Sequence, residues 1–194
     1  MSKVFLKKEH DIPVKRRHPW IFSGAIENVE GTPSAEEVVE VFSSDGKWLA
    51  RGWFSPHSQI AVRVLTRNTD QQINTNFFRD RIMQAYQLRK ELGFVEHKNA
   101  AYRLINAESD YLPGVIVDIY ADVAVCQLSC AGADKNKREI IAGVSAIDGI
   151  RSIYERSDVT SRKHENLPPA IGLLYGDEPP DEIEINENEH VFFV

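Results

Sequence analysis

Gly46-Lys47-Trp48-Leu49-Ala50-Arg51-Gly52-Trp53-Phe54, followed after five residues by Ile60-Ala61-Val62-Arg63-Val64-Leu65, decides how the first third of the chain folds. Both stretches are short apolar runs bounded by turn-forming residues, the pattern of β-strands. Working outward, Ser44-Asp45-Gly46 reads as a turn, with Gly46 the residue for a positive φ. Val38-Val39-Glu40-Val41-Phe42 is the strand before it, and Val4-Phe5-Leu6 opens the series. Strands at this spacing predict a small, largely antiparallel barrel over residues 1–66. Pro19 is placed to start a single helical turn around Trp20-Ile21-Phe22.

Further along, residues 67–76 are polar and read as a domain boundary. A helix is expected from about Thr75 to Leu92, with Phe78, Ile82, Ala85 and Leu92 on one stripe and Gly93 closing it. Ala101–Asn106 follows, then a Pro113-Gly114 turn and a strand pair at Val115–Tyr120 and Val123–Leu128. Asp134 is a candidate cap for a helix running to about Ile147. Later strands are expected at Ile150–Tyr154, Ile171–Tyr175 and Glu182–Ile185, making the second unit an α+β domain. Val191-Phe192-Phe193-Val194 reads as a strand whose partner lies further on, so the chain is expected to be the front part of a longer protein.

The sequence has 194 residues, 42% apolar and 9% aromatic, an ordinary globular composition. Its longest run free of Asp, Glu, Lys and Arg is 11 residues, whereas a bilayer-spanning helix needs about 20. The N-terminus lacks the apolar core of a secretory signal, and two cysteines do not make a disulfide framework. Together these point to the cytoplasm. The net charge of −6 argues against a nucleic-acid partner until its distribution is seen. Residues 1–72 and residues 73–164 each carry +1, and residues 165–194 carry −8 with no Lys or Arg.

The sequence contains no Gly-x-Gly, so a dinucleotide fingerprint and a Gly-rich S-adenosylmethionine loop are both missing. Cys126 and Cys130 sit in or beside an apolar run without a cation to activate them, and read as structural. Asp177-Glu178-Pro179-Pro180 reads as a linker turn. Glu108 and Asp110 lie before the Pro-Gly turn, where Ser and Asp cap backbone groups; acid–base work is the competing use. Lys15-Arg16-Arg17-His18-Pro19-Trp20 places three consecutive cations beside an aromatic, able to neutralise phosphates and offer a stacking face. The same residues equally describe a solvated basic loop with Trp20 in the core. Arg156 and Asp158 read as a salt bridge, with phosphate contact by Arg156 or Arg162 as the alternative.

Taken together, these segments resemble the bacterial 23S ribosomal RNA cytosine-C5 methyltransferases that begin with a PUA RNA-binding domain. The matching stretches are Arg16–Ala25, Gly46–Gly52, Ser55–Ile60, Glu108–Gly114, Gln127–Ala133, Ile153–Val159 and Gly176–Pro180, in the family order. The chain departs from the family pattern at Ile119, Asn166 and Glu187-Asn188-Glu189. The resemblance implies an α+β chain: a PUA-type β-barrel over residues 1–70, then a central domain of strand-strand-helix-strand-strand type over 74–186. Residues 187–194 would begin a hairpin into a missing Rossmann-like methyltransferase domain. It implies S-adenosylmethionine as the cofactor of the whole enzyme, with no cofactor, metal or catalytic residue in this chain. The expected partner is structured RNA, in particular 23S rRNA, with no membrane or DNA partner and room for a homodimer. The expected RNA contacts are Lys15, Arg16, Arg17, His18, Trp20, Arg51 and Arg63, with Arg156, Arg162 and Lys163 in the second domain. Two other readings stand beside this one: a stand-alone PUA-type adaptor, and a protein-interaction module docking through residues 191–194.

Overall fold

The computed structural model describes residues 1–95, 99–187 and 190–194. The first unit is a six-stranded sheet built from β1 (Lys3–Leu6), β2 (Trp20–Phe22), β3 (Ile26–Glu30), β4 (Val38–Phe42), β5 (Trp48–Phe54) and β6 (Ile60–Thr66). Its order is β2-β6-β5-β4-β1-β3, and β1–β4 is the one parallel pair. Val4, Leu6, Val39, Val41, Ala50 and Val62 fill its inner face, with Val14 added from the short helix α1 (Ile12–Lys15).

Two local expectations fail here for a common reason. Trp20–Phe22 is a strand paired with β6, not a helical turn. The helical turn sits at Ile12–Lys15, where Pro13 rather than Pro19 occupies the start. The Pro19 carbonyl instead accepts from the Val64 amide at 2.8 Å, extending the ladder toward β2. Strand β3 was not expected, because Glu27, Asn28 and Glu30 are poor strand formers; it is an edge, where polar residues are tolerated.

The two strands on which the reading opened have both faces covered. In β6, Val62 and Val64 point into the barrel core, while Leu65 joins the core of the second unit. In β5, Phe54 belongs to the first core and Trp53 to the second. Near-continuous apolarity therefore reflects a strand buried on two sides. Gly52 lets these strands meet, since a Cβ there would stand 2.3 Å from the Arg63 carbonyl oxygen, at a register shift between β5 and β6.

The second unit is a five-stranded sheet, β7 (Ala101–Asn106), β8 (Val115–Tyr120), β9 (Val123–Leu128), β10 (Ser152–Ser157) and β11 (Ala170–Gly176), in the order β11-β10-β9-β8-β7. Only β9–β10 is parallel. Three strands, not two, precede its crossover helices. One face is covered by α2 (Thr75–Glu91) and by α3 (Ala131–Lys135) with α4 (Lys137–Ser145). Phe78, Ile82 and Ala85 pack against Ile140, Ile141 and Val144 in one core. Asn74 caps α2 through the Phe77 amide.

The expected stripe loses Leu92, which is 61% exposed beyond the last helical turn. The helix expected from Asp134 is two helices broken at Asn136, and its N-cap is Cys130. Asp134 is spent on an ion pair with Arg162 at 3.0 Å instead. A hairpin of β12 (Glu184–Glu187) and β13 (His190–Phe193) closes the chain. The apolar terminal strand pairs with the strand before it. Asn188 and Glu189, in the stretch where the chain departs from the family pattern, lie outside the described residues. No described helix is long and apolar enough to cross a membrane.

Candidate nucleic-acid interface

The two cores meet at a seam, and the arginines expected to bind RNA divide according to which side of the seam they occupy. On one side, Glu165 is 5% exposed and gathers three groups from three elements. Arg63 pairs with it at 2.8 Å, Ser55 donates its hydroxyl at 2.8 Å, and the Ala131 amide at the start of α3 donates at 3.4 Å. Beside it Arg162, 2% exposed, donates from Nε to the Pro168 carbonyl and from one terminal nitrogen to the Leu128 carbonyl and Asp134. Burial and these three bonds turn the Arg162 guanidinium toward the fold, and Arg63 is committed to Glu165. Arg51 is held by Glu40 at 2.8 Å and by the Gln71 carbonyl at 2.6 Å, which ties β5 to the polar connection after β6.

Arg156 is exposed and pairs with Asp158 at 3.3 Å, as its spacing foretold. Lys163 is exposed, on the same short helical turn as buried Arg162 (Thr160–Glu165). These two are not brought to the N-terminal cluster by any contact among the described residues.

That cluster is better formed. Lys15 pairs with Asp11 one turn back in α1. Arg16 and Arg17 are exposed and have no carboxylate within 4.0 Å among the described residues, and Arg17 is in the left-handed region at φ 68°. The His18 ring nitrogen Nδ1 accepts from the Trp20 amide at 3.1 Å, turning the chain into β2. His18, Trp20 and Phe22 form a triangle in which every pair of ring centroids is 6.0–6.4 Å apart. Trp20 is partly buried rather than core: its indole N–H reaches across the seam to Glu108 at 2.7 Å. Phe22 is 47% exposed. Phe22 also lines a cavity of about 430 Å³ with His57, Gln59, Arg63 and His164, and the trio puts aromatic rings next in sequence to the uncompensated Arg16 and Arg17.

Sequence reasoning missed three further residues here. Arg67 donates to the His18 carbonyl at 2.8 Å. Arg81 on α2 lies 4.9 Å over the Tyr111 ring and 5.4 Å over Phe77. The Nε of each guanidinium is buried without a hydrogen-bond partner. Burial holds both guanidinium groups below their ordinary pKa, and for Arg67 the positive charge of Arg17 adds to the effect. No local motif marks these residues, because Arg67, Arg81 and Tyr111 come from three separated segments.

The paired acids before the Pro-Gly turn are structural. Arg89 grips Asp110 with two bonds of 2.7 Å, and Asp110 also accepts from the Asn106 amide. Both thiols are buried; burial pushes Cys126 up to about 12 and Cys130 up to about 11, away from nucleophilic use.

Comparisons place this geometry among known proteins. A family model described as a PUA-like domain matches residues 4–67. The chain is 48% identical over 190 residues to the ribosomal RNA large subunit methyltransferase I of Tolumonas auensis, covering 98% of this chain and 48% of that protein. It is 46% identical over 187 residues to the protein of the same name from Pseudoalteromonas atlantica, covering 96% and 47%. The chain spans about half the length of the curated relatives it matches. Among solved structures it resembles a putative SAM-dependent methyltransferase from Streptococcus mutans, with a TM-score of 0.81 at 21% identity, over 100% of this chain and 48% of that one. A putative methyltransferase solved in complex with SAH gives a TM-score of 0.82, also at 21% identity.

Proposed function

We propose that this chain is the RNA-recognising part of a large-subunit rRNA methyltransferase, acting on a cytosine C5 of 23S rRNA. The observation that carries the reading is the pairing of unneutralised Arg16 and Arg17 with the His18-Trp20-Phe22 aromatic cluster at the start of β2 in the PUA-like unit. Cations without internal partners release counterions when they meet phosphates, and exposed rings stack unpaired bases. Similarity to rRNA methyltransferases over nearly the whole chain supports the choice of RNA.

The residues described do not fit S-adenosylmethionine. A cofactor cradle on an open α/β sheet needs a glycine turn between a strand and the following helix. The junction that feeds the β9–β10 crossover is closed: a Cβ on Gly132 would stand 2.2 Å from the Trp53 ring, and Glu165 occupies the Ala131 amide. In this reading the β9–α3 junction does not hold the cofactor, and the role of the chain is to bind and orient the RNA.

Titration of the chain with a labelled stem-loop from large-subunit rRNA tests the reading, alongside calorimetry with S-adenosylmethionine. The expected result is salt-sensitive RNA binding and no heat of cofactor binding. Binding that is insensitive to salt, or a tight one-to-one cofactor complex, contradicts it.

A further inference from the structure

The guanidinium groups of Arg67 and Arg81 are half-buried without a carboxylate partner among the described residues. Most of the partly or fully buried arginines have a carboxylate: Arg51 has Glu40, Arg63 has Glu165, Arg89 has Asp110 and Arg162 has Asp134. Arg67 and Arg81 have none within 4.0 Å among the described residues, and each keeps a buried Nε without a partner. A half-buried cation left without an anion is costly unless something else supplies the charge. Arg17, the nearest cation acting on Arg67, repels it rather than helping. The chain holds Arg17 there in a left-handed conformation that non-glycine residues seldom adopt.

We propose that Arg17, Arg67 and Arg81 form a phosphodiester-binding site at the seam between the two sheets, so that the RNA strand crosses from the PUA-like unit onto α2. This rests on the RNA-binding reading above and extends it to a place that reading does not reach. The three guanidinium groups come from the loop before β2, the segment after β6, and α2, so the site exists only when both units are packed together. Two of them are already oriented. The His18 carbonyl fixes Arg67, and the Tyr111 and Phe77 rings hold Arg81 by its face, which leaves its edge donors for an anion. Planar, fixed donors of this kind suit a phosphate better than a mobile ammonium does. The adjacent His18-Trp20-Phe22 cluster, with Phe22 exposed, and exposed Tyr111 favour a nucleic-acid strand over an acidic protein segment, because bases of the same strand find rings to stack on.

The test uses the full chain and three variants, Arg67→Gln, Arg81→Gln and the double variant, with Arg151→Gln as a control on the exposed Asp122 pair. The first readout is the salt dependence of binding to a fluorescent RNA stem-loop. The expected result is that each single variant lowers the slope of log K against log salt by about one unit or less, the double variant by more, and the control not at all. The second readout is independent of RNA: the rise of the thermal midpoint in sulfate over chloride at matched ionic strength, expected in the wild type and lost in the double variant. The conservative Arg81→Lys variant, which keeps the charge, is expected to restore most of the slope. If the wild type binds the stem-loop and the folded double variant keeps its slope and its sulfate response, the site is refuted while the RNA reading stands. If the wild type binds no RNA but shows the sulfate response, the anion site stands and the RNA reading falls. Self-association of the chain that the double variant abolishes, with RNA binding unchanged, would assign these arginines to a second copy and overturn the proposal.

Discussion

Two arginine groups flank the same seam and behave in opposite ways. Around Glu165, Arg63 and Arg162 are buried with carboxylates and carbonyls to receive their donors. Around Tyr111, Arg67 and Arg81 are half-buried with rings and one carbonyl, and no carboxylate. The first group has its charges matched by carboxylates and holds the two units together. The second is incomplete and presents charge outward. Net charge does not separate them; what separates them is whether each donor already has an acceptor.

The comparison is broken most severely through Arg162. Removing it takes a buried donor from the Leu128 and Pro168 carbonyls and leaves Asp134 with Lys137 alone. Arg162→Met is expected to lower unfolding stability by about 3–5 kcal/mol, measured in urea, as for other broken buried pairs. The folded protein should bind RNA unchanged. Stability near wild type with weakened RNA binding would move Arg162 to the other group.

A somewhat smaller effect is expected at Gly132. Its α carbon lies against the Trp53 ring, which buries itself in the second core. Gly132→Ala is expected to cost about 1–3 kcal/mol by overpacking. Trp20→Phe removes the bond to Glu108 but keeps a ring, and should cost about 1–2 kcal/mol with stacking retained. Quenching of aromatic fluorescence by RNA measures the retained part.

The smallest effect sharpens the buried side. Cys130, beside Arg63 and Glu165, and Cys126 are both raised from 9.0 in the folded state. The unfolded thiols therefore lose protons first, and stability should fall as pH climbs through 9. At pH 8 iodoacetamide should label neither thiol faster than the protein unfolds. Rapid native labelling would mean the seam opens locally.

Much of this fold was legible because apolar runs and glycine turns carry their own periodicity. Val115–Tyr120 and Val123–Leu128 form the expected pair with the expected bounds, and Gly46 takes its positive φ of 79°. Strand β3 was hidden because its residues favour no strand, and Pro19 misled because a proline after a basic loop starts helices and strands alike. The candidate site was half legible. Lys15-Arg16-Arg17 announces itself as a cluster, whereas Arg67, Arg81 and Tyr111 become neighbours only through packing. Arg162 misled for the converse reason: beside Lys163 it reads as a surface cation, and only the fold reveals carbonyls around it.

The most direct test of the account is photocrosslinking of the full chain to a 4-thiouridine-substituted stem-loop, with the linked peptides identified by mass spectrometry. The account predicts crosslinks to the peptides carrying Trp20, Phe22 and Tyr111. Crosslinks confined to the open face of the second sheet, at Tyr154, Ile171 or Tyr175, would contradict it.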